Sequence, residues 1–242
     1  MLEDDKRTYL GQHFLIDFRT ISKIVNSCSI SRSDVVLELG TGFGYLTKEI
    51  SSFAKSVYSY EIDKVLYSEA KTYLANNSNV KLFNEDFFVQ GDFEFDYFLS
   101  NIPYSRSKDV VKWMASHEFR EAVVMVQKEF SEKILASPGS TNYSVVSVIS
   151  QYCFEIDSLF DVEKSSFLPP PKIESRVIRM KRKKSKITKD VMAWLEYLFS
   201  NRNKKSESLL HIKDYGSKKI DQLDAETLIK ITNDLQYRKK TA

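Results

Sequence analysis

Apolar residues recur at helical spacing over 17–28, at Phe18, Ile21, Ile24, Val25 and Cys28, with Asp17 placed to cap the first turn. The period then changes. VVLELG (35–40) is a short apolar run closed by glycine, the pattern of a buried strand. The same reading predicts helix at 45–52, strand at 56–63, helix at about 63–75 and strands at 80–84 and 95–100. Helix follows at 107–117, strand at 121–127, and helix again through Leu135. Strands alternating with helices of this length predict an α/β fold, a parallel sheet with helices on both faces. Downstream the alternation stops. A turn at 137–140 leads to helix at 144–151, then to strands at 154–162 and 174–180 that can pair as an edge hairpin. Between those strands FLPPPK (167–172) is an extended proline segment. Past the basic run 181–186 come helical patterns at 189–200 and 221–235, with Asp224 placed as a cap. Two domains are expected, 1–181 and a small helical one at 182–242.

Composition narrows the class. The chain has 242 residues, 42% hydrophobic and 29% charged, which is ordinary for a globular protein. No window approaches the ~18 apolar residues of a membrane span. MLEDDKRTYL at the start lacks the apolar stretch of a signal peptide, so a cytoplasmic protein without membrane partners is expected. Two cysteines outside any CxxC pair and three histidines argue for buried thiols and no metal site. The net charge of +3 conceals an asymmetry: between Lys172 and Lys205 twelve Lys and Arg face three acids, a local excess of nine, so the remainder is net acidic. Confined positive charge is the footprint of a polyanion partner, although a solvated lysine-rich linker reads the same way.

Three of seven glycines fall within Gly40-Thr41-Gly42-Phe43-Gly44, after a strand and before a helix, where backbone can approach a ligand closely. Glu61 closes the next strand, where an acid can bind ribose hydroxyls. The third glycine of a dinucleotide fingerprint is replaced by Tyr45, which points to S-adenosylmethionine rather than NAD. Asp86 closes the third strand and can accept a hydrogen bond from an adenine amino group; a turn or helix cap is the competing reading. Asn101-Ile102-Pro103-Tyr104 ends the fourth strand. An exocyclic amine is a poor nucleophile because its lone pair is delocalised. The Asn101 carbonyl oxygen and a nearby backbone carbonyl can each accept one of its N–H bonds and aim the lone pair at a methyl group. Pro103 holds the backbone extended. Tyr104 offers a face for a base, worth ~1–3 kcal/mol.

In this order GQHFL (11–15), ELGTGFGYLT (38–47), YEID (60–63), NED (84–86), NIPY (101–104), VQKEF (126–130) and SSFLPPPKIES (165–175) resemble the ribosomal RNA adenine dimethyltransferases, strongly over about residues 8–181. The resemblance implies a Rossmann-like S-adenosylmethionine-dependent methyltransferase sheet with a small C-terminal helical domain that helps grip rRNA. It implies that Gln12, His13 and Leu15 line the cofactor site, with Gly42, Ile62 and Phe87 also binding cofactor. Gly40 would meet the methionine part, Glu61 the ribose and Asp86 the adenine. Asn101 would serve both cofactor and target amine, and Tyr104 and Phe167 would stack on the target adenine. The family usually has Asn where His13 stands, and this departure makes protonation a variable at that contact.

The function so implied is N6-dimethylation of two adjacent adenosines in small-subunit rRNA, on a pre-assembled subunit, by a monomeric enzyme. FLPPPKIES and VQKEF favour that group over the large-subunit methylases that confer macrolide resistance. Glu61, Asp86, Asn101 and Tyr104 are all in place, which argues against an assembly factor that has lost catalysis. A DNA adenine methylase would usually show two prolines after the Asn or Asp, where Ile102 replaces the first.

Overall fold

The computed structural model describes residues 13–89, 94–183, 186–210 and 217–241. Gln12 and Lys184 therefore lie outside the described residues. Contacts divide the chain into two compact units. One comprises Met1–Ser107, Glu118–Lys128 and Asp157–Arg182; the other comprises Lys108–His117, Glu129–Ile156 and Lys183–Ala242.

The first unit carries the sheet. Its strands, except that the first three residues of β7 count with the other unit, are β1 (Phe14–Leu15), β2 (Val35–Leu39), β3 (Ser56–Tyr60), β4 (Val80–Phe83), β5 (Tyr97–Asn101), β6 (Glu121–Gln127), β7 (Phe154–Val162), β8 (Phe167–Leu168) and β9 (Ser175–Arg182). Seven of these form one sheet in the order β4-β3-β2-β5-β6-β9-β7. The first five are mutually parallel, as the alternating pattern predicts. β9 then joins β6 antiparallel, from Glu121 opposite Lys181 to Gln127 opposite Ser175, with β7 outside it. The sheet is thus mixed: the two downstream strands form the expected edge pair, and they extend the parallel sheet. β1 and β8 make a separate antiparallel ladder, Phe14 opposite Leu168 and Leu15 opposite Phe167. Two-residue strands carry no readable period, so this ladder was not foreseeable.

Helix α1 (Phe18–Asn26) is capped by Asp17, whose carboxylate accepts from the Arg19 and Thr20 amides at 3.3 and 3.1 Å. Its buried face, Ile21, Ile24 and Val25, joins Val36, Ile50, Val57, Leu99 and Val123 in the core of this unit. Helix α3 (Lys64–Tyr73) is capped in the same way by Asp63. Helix α2 (Tyr45–Ser51) has no side-chain cap and starts from Gly44 at φ 84°. The second unit is helical: α4 (Ser107–Ser116), α5 (Lys128–Ile134), α6 (Val145–Cys153), α7 (Lys189–Ser200), α8 (Ser206–Leu210) and α9 (Ala225–Thr241). α9 packs against α6 and α7, burying Leu228, Ile231, Ile149 and Leu195. Asp224 caps α9 through the Thr227 amide at 2.8 Å. Both tryptophans belong to this unit. Trp113 stacks on His117 with ring centroids 4.1 Å apart, and Trp194 meets Tyr197 edge-on. Among the described residues no helix is long and apolar enough to cross a membrane.

Gly44 is where chain geometry and packing meet. A Cβ there would sit 2.9 Å from Leu74 Cδ1, on a backbone already at positive φ. Gly44→Ala should cost about 1–3 kcal/mol and lower the melting temperature by several degrees, read by thermal unfolding. An unchanged transition would show that the turn relaxes freely.

Candidate active site

Strand order reverses between β2 and β5, with β3 and β4 on one side and β6 on the other. Such a reversal opens a crevice outside the carboxyl ends of parallel strands. Gly40, Glu61, Asp86 and Asn101 follow or end β2, β3, β4 and β5, and all four line one cavity of about 400 Å³. His13, Leu15, Gly42, Ile62, Phe87, Pro103 and Tyr104 line it too. Of the described site residues expected from the sequence, only Phe167 is missing from this wall.

The glycine turn is built on backbone. The amides of Gly40 and Thr41 both donate to the Tyr60 carbonyl, at 2.9 and 3.2 Å, which binds the turn to the neighbouring strand end. Gly42 sits at φ 55°, and a Cβ there would approach the Phe14 ring to 3.3 Å. Its amide donates to Glu61 Oε2 at 2.9 Å, and the Asp63 amide donates to Oε1 at 3.0 Å. Glu61 is buried, and burial raises its pKa against the pull of these donors. Each carboxylate oxygen keeps a second lone pair for a ligand hydroxyl.

Glu38 was not foreseen as part of the site. It is an acid inside an otherwise apolar strand, and that irregularity was its visible signal. It is fully buried and lines the cavity. Its Oε2 accepts from Thr47 Oγ1 and Ser59 Oγ, both at 2.6 Å, and Ser59 shares a further 2.6 Å bond with Thr41. Its Oε1 has no partner. Burial, opposed by those hydroxyls, pushes the carboxyl up to about 7.

Asn101 Nδ2 donates to the His13 carbonyl at 3.2 Å, which fixes the amide orientation and leaves Oδ1 as the side chain's remaining acceptor. Ile102 is buried, and its amide donates to Met125 O at 3.1 Å, anchoring the turn to β6. Pro103 has the extended conformation expected of it, φ −54° and ψ 126°, and Tyr104 opens a single 3-10 turn, Tyr104–Arg106. The His13 ring packs against Tyr104 with centroids 5.8 Å apart.

Two expectations meet a different arrangement. Asp86 lines the cavity, yet one of its oxygens also accepts from the Phe88 amide at 3.0 Å, so it caps the Phe87–Val89 turn as well. Phe167 is 2% exposed and belongs to the core cluster, because its strand β8 pairs with Leu15 and turns the ring inward. In this structure it offers no face to a base. Residues unmarked in the sequence also appear. Phe14 and Phe43 pack at 4.6 Å on the cavity wall, and the Arg106 guanidinium lies 4.4 Å over the Phe88 ring. As a whole the site offers a buried acid beside a glycine turn, a second acid at the next strand end, and apolar walls between them. That donor set fits an adenosine-type cofactor with two ribose hydroxyls.

A model of the family described as ribosomal RNA adenine dimethylase matches residues 3–242. The chain is 36% identical over 235 residues to a ribosomal RNA small subunit methyltransferase A of Thermotoga neapolitana, covering 94% of this chain and 90% of that protein. It is also 36% identical over 228 residues to the protein of that name from Mycoplasmopsis synoviae, covering 90% and 87%. A solved dimethyladenosine transferase from Plasmodium falciparum superposes with a TM-score of 0.82 at 26% identity, covering 95% of this chain and 98% of that one. The 23S rRNA methyltransferase ErmE shares the fold, with a TM-score of 0.69 at 24% identity over 92% of this chain and 99% of its own.

Glu38 gives the site a pH signature. Its folded value, about 7, lies above its ordinary 4.5, so its contribution to stability is full below about pH 4.5 and is lost as pH rises through 7. Glu38→Gln, neutral throughout, should melt like the parent near pH 4.5. By pH 8 it should be more stable, by on the order of 2–3 kcal/mol. Parallel melting curves across this range would refute the buried-acid assignment.

Proposed function

Because the chain belongs to the ribosomal RNA adenine dimethylase family, we propose that it transfers methyl groups from S-adenosylmethionine to the exocyclic N6 of adenosines in small-subunit rRNA. Two adjacent adenosines, each methylated twice, are the expected target, and a pre-assembled small subunit the expected form of the RNA. The observation that carries the reading is the convergence of Gly40, Glu61, Asp86 and Asn101 on one cavity at the reversal of strand order. The 36% identity to small-subunit methyltransferases over nearly the whole chain favours that substrate over large-subunit RNA.

When bound, S-adenosylmethionine supplies an electrophilic methyl group on a sulfonium. Glu61 accepts the ribose hydroxyls through the lone pairs its two amide donors leave open. Gly40 would keep the turn bare for the methionine part of the cofactor. Asp86 takes the adenine amine with the oxygen not engaged by Phe88. Asn101 is the centre of the chemistry. With Nδ2 committed to the His13 carbonyl, its Oδ1 accepts one N–H of the target amine, and a backbone carbonyl of the Asn-Ile-Pro turn accepts the other. Held this way the nitrogen is drawn toward a tetrahedral shape with its lone pair aimed at the methyl group. No base is needed beforehand, since the proton becomes acidic once the nitrogen is methylated and cationic. Catalysis is then positioning plus electrostatic stabilisation of developing positive charge. Tyr104 provides the stacking face, and the target base reaches it from an unpaired or extruded position.

RNA affinity falls to the basic stretch, in part. Arg176 pairs with Asp161, Arg179 with Asp157 at 2.7 Å and Arg202 with Asp221 at 3.2 Å, so at least three of its twelve cations are already matched within the protein. Lys181, Lys183, Lys186, Lys189, Lys204 and Lys205 are exposed and suit phosphate contacts. Residues 182–242 are the proposed RNA-gripping domain, and the enzyme is proposed to act as a monomer.

Labelled methyl transfer to unmethylated small subunits, large subunits and naked rRNA, followed by nucleoside analysis, tests the assignment. Dimethyladenosine is expected with small subunits alone. Label on large-subunit RNA would transfer the protein to the resistance branch, and no label with retained subunit binding would make it an assembly factor. Asn101→Ala should lower the rate by at least about 100-fold while subunit binding stays nearly intact. Equal loss of both would remove the role given to Asn101.

A further inference from the structure

A stacking face needs only a ring, and phenylalanine would supply one. Tyr104 has a hydroxyl as well, and it is engaged: it shares a 2.7 Å hydrogen bond with Ser175 Oγ. Ser175 is completely buried. It opens β9 opposite Gln127 of β6, so the anchor is a strand residue on the end rung of the seven-stranded sheet and not on a loop. From the other side the His13 ring lies against Tyr104 at 5.8 Å with the planes tilted by 35°. His13 is held in turn by a 2.9 Å contact from Nδ1 to the Pro169 carbonyl, where Nδ1 carries the proton it donates. Pro169 and Ser175 both belong to SSFLPPPKIES (165–175), whose aromatic residue, Phe167, points into the core.

We propose that Ser175 is a positioning residue whose hydroxyl holds the Tyr104 ring in the orientation that receives the target adenine. The segment 167–175 then serves the reaction from behind the stacking platform and not by touching the base. This rests on the reading of Tyr104 as the stacking face. A tyrosine on a one-turn helix in a cavity wall has two side-chain torsions to lose when a base arrives. Tethering the far end of the ring to a buried strand residue removes that freedom at folding, before RNA is met. The tether spares most of the RNA affinity, which comes from phosphate contacts elsewhere.

The experiment measures kcat and KM of the full chain for methyl transfer to unmethylated small subunits, with S-adenosylmethionine affinity and thermal melting alongside. Tyr104→Phe keeps the ring and removes the bond from the cavity side; Ser175→Ala removes it from the buried side. Each should lower kcat about five- to tenfold, the worth of one hydrogen bond. KM for subunits and cofactor affinity should stay within about twofold, and the double variant should be no slower than either single. Tyr104→Phe at full activity with Tyr104→Ala inactive overturns the positioning role and leaves the stacking face standing. Tyr104→Ala at full activity removes the stacking face, and the inference with it. Losses that multiply in the double variant, or that fall on KM alone, also overturn it. Should Ser175→Ala fail to fold, Tyr104→Phe decides the matter alone.

Discussion

Parallel pairing is the constraint from which the site follows. Strands that run in one direction must all finish at the same edge, whatever their sequences. β2, β3, β4 and β5 do so in this protein, and each places one part of the site there: a glycine turn, Glu61, Asp86 and Asn101. The backbone groups freed at that edge are then used. The Tyr60 carbonyl takes two amides of the glycine turn, and Glu61 takes the amides of Gly42 and Asp63. The ends of two neighbouring strands are thereby fixed to each other before any ligand is considered. A pocket made in this way costs little to organise on binding, because its backbone and most of its polar side chains are already held in place.

The extent to which this was legible depended on how local each signal was. Strands and helices with a clear period were readable to within a few residues, since burial on one or both faces writes itself into the sequence: VVLEL, EAVVMVQ and FEIDSLFDV became β2, β6 and β7. The turn glycines were readable because positive φ admits few other residues. The two-residue ladder of β1 and β8 was not readable, and its consequence was misjudged with it. That Phe167 stacks on a base was implied by the resemblance, but pairing with Leu15 turns its ring into the core. Glu38 was overlooked for the opposite reason. Its apolar neighbours identified a strand correctly and concealed that the strand held an acid whose partners, Thr47 and Ser59, lie 9 and 21 residues away. Hydrogen bonds over such separations are invisible to a periodicity argument.

The charge pattern shows the same division. A local excess of nine positive charges was countable in the sequence. That Arg176 and Arg179 spend theirs on Asp161 and Asp157 required a folded β7 beside β9. The polyanion footprint is therefore narrower than the composition suggests, and it shifts toward the lysines that follow the last strand.

The division of aromatic residues between the two units has a spectroscopic consequence. Both tryptophans of the chain, Trp113 and Trp194, lie in the helical unit, whereas the cavity is walled by phenylalanines and tyrosines. Light absorbed and emitted at tryptophan wavelengths therefore samples the helical unit alone. A denaturation followed by tryptophan emission reports the loss of α4 and α7, while far-ultraviolet dichroism sums the helices and strands of both units. Two curves that coincide would identify a single cooperative transition, and two that part would give each unit its own midpoint from one unlabelled sample.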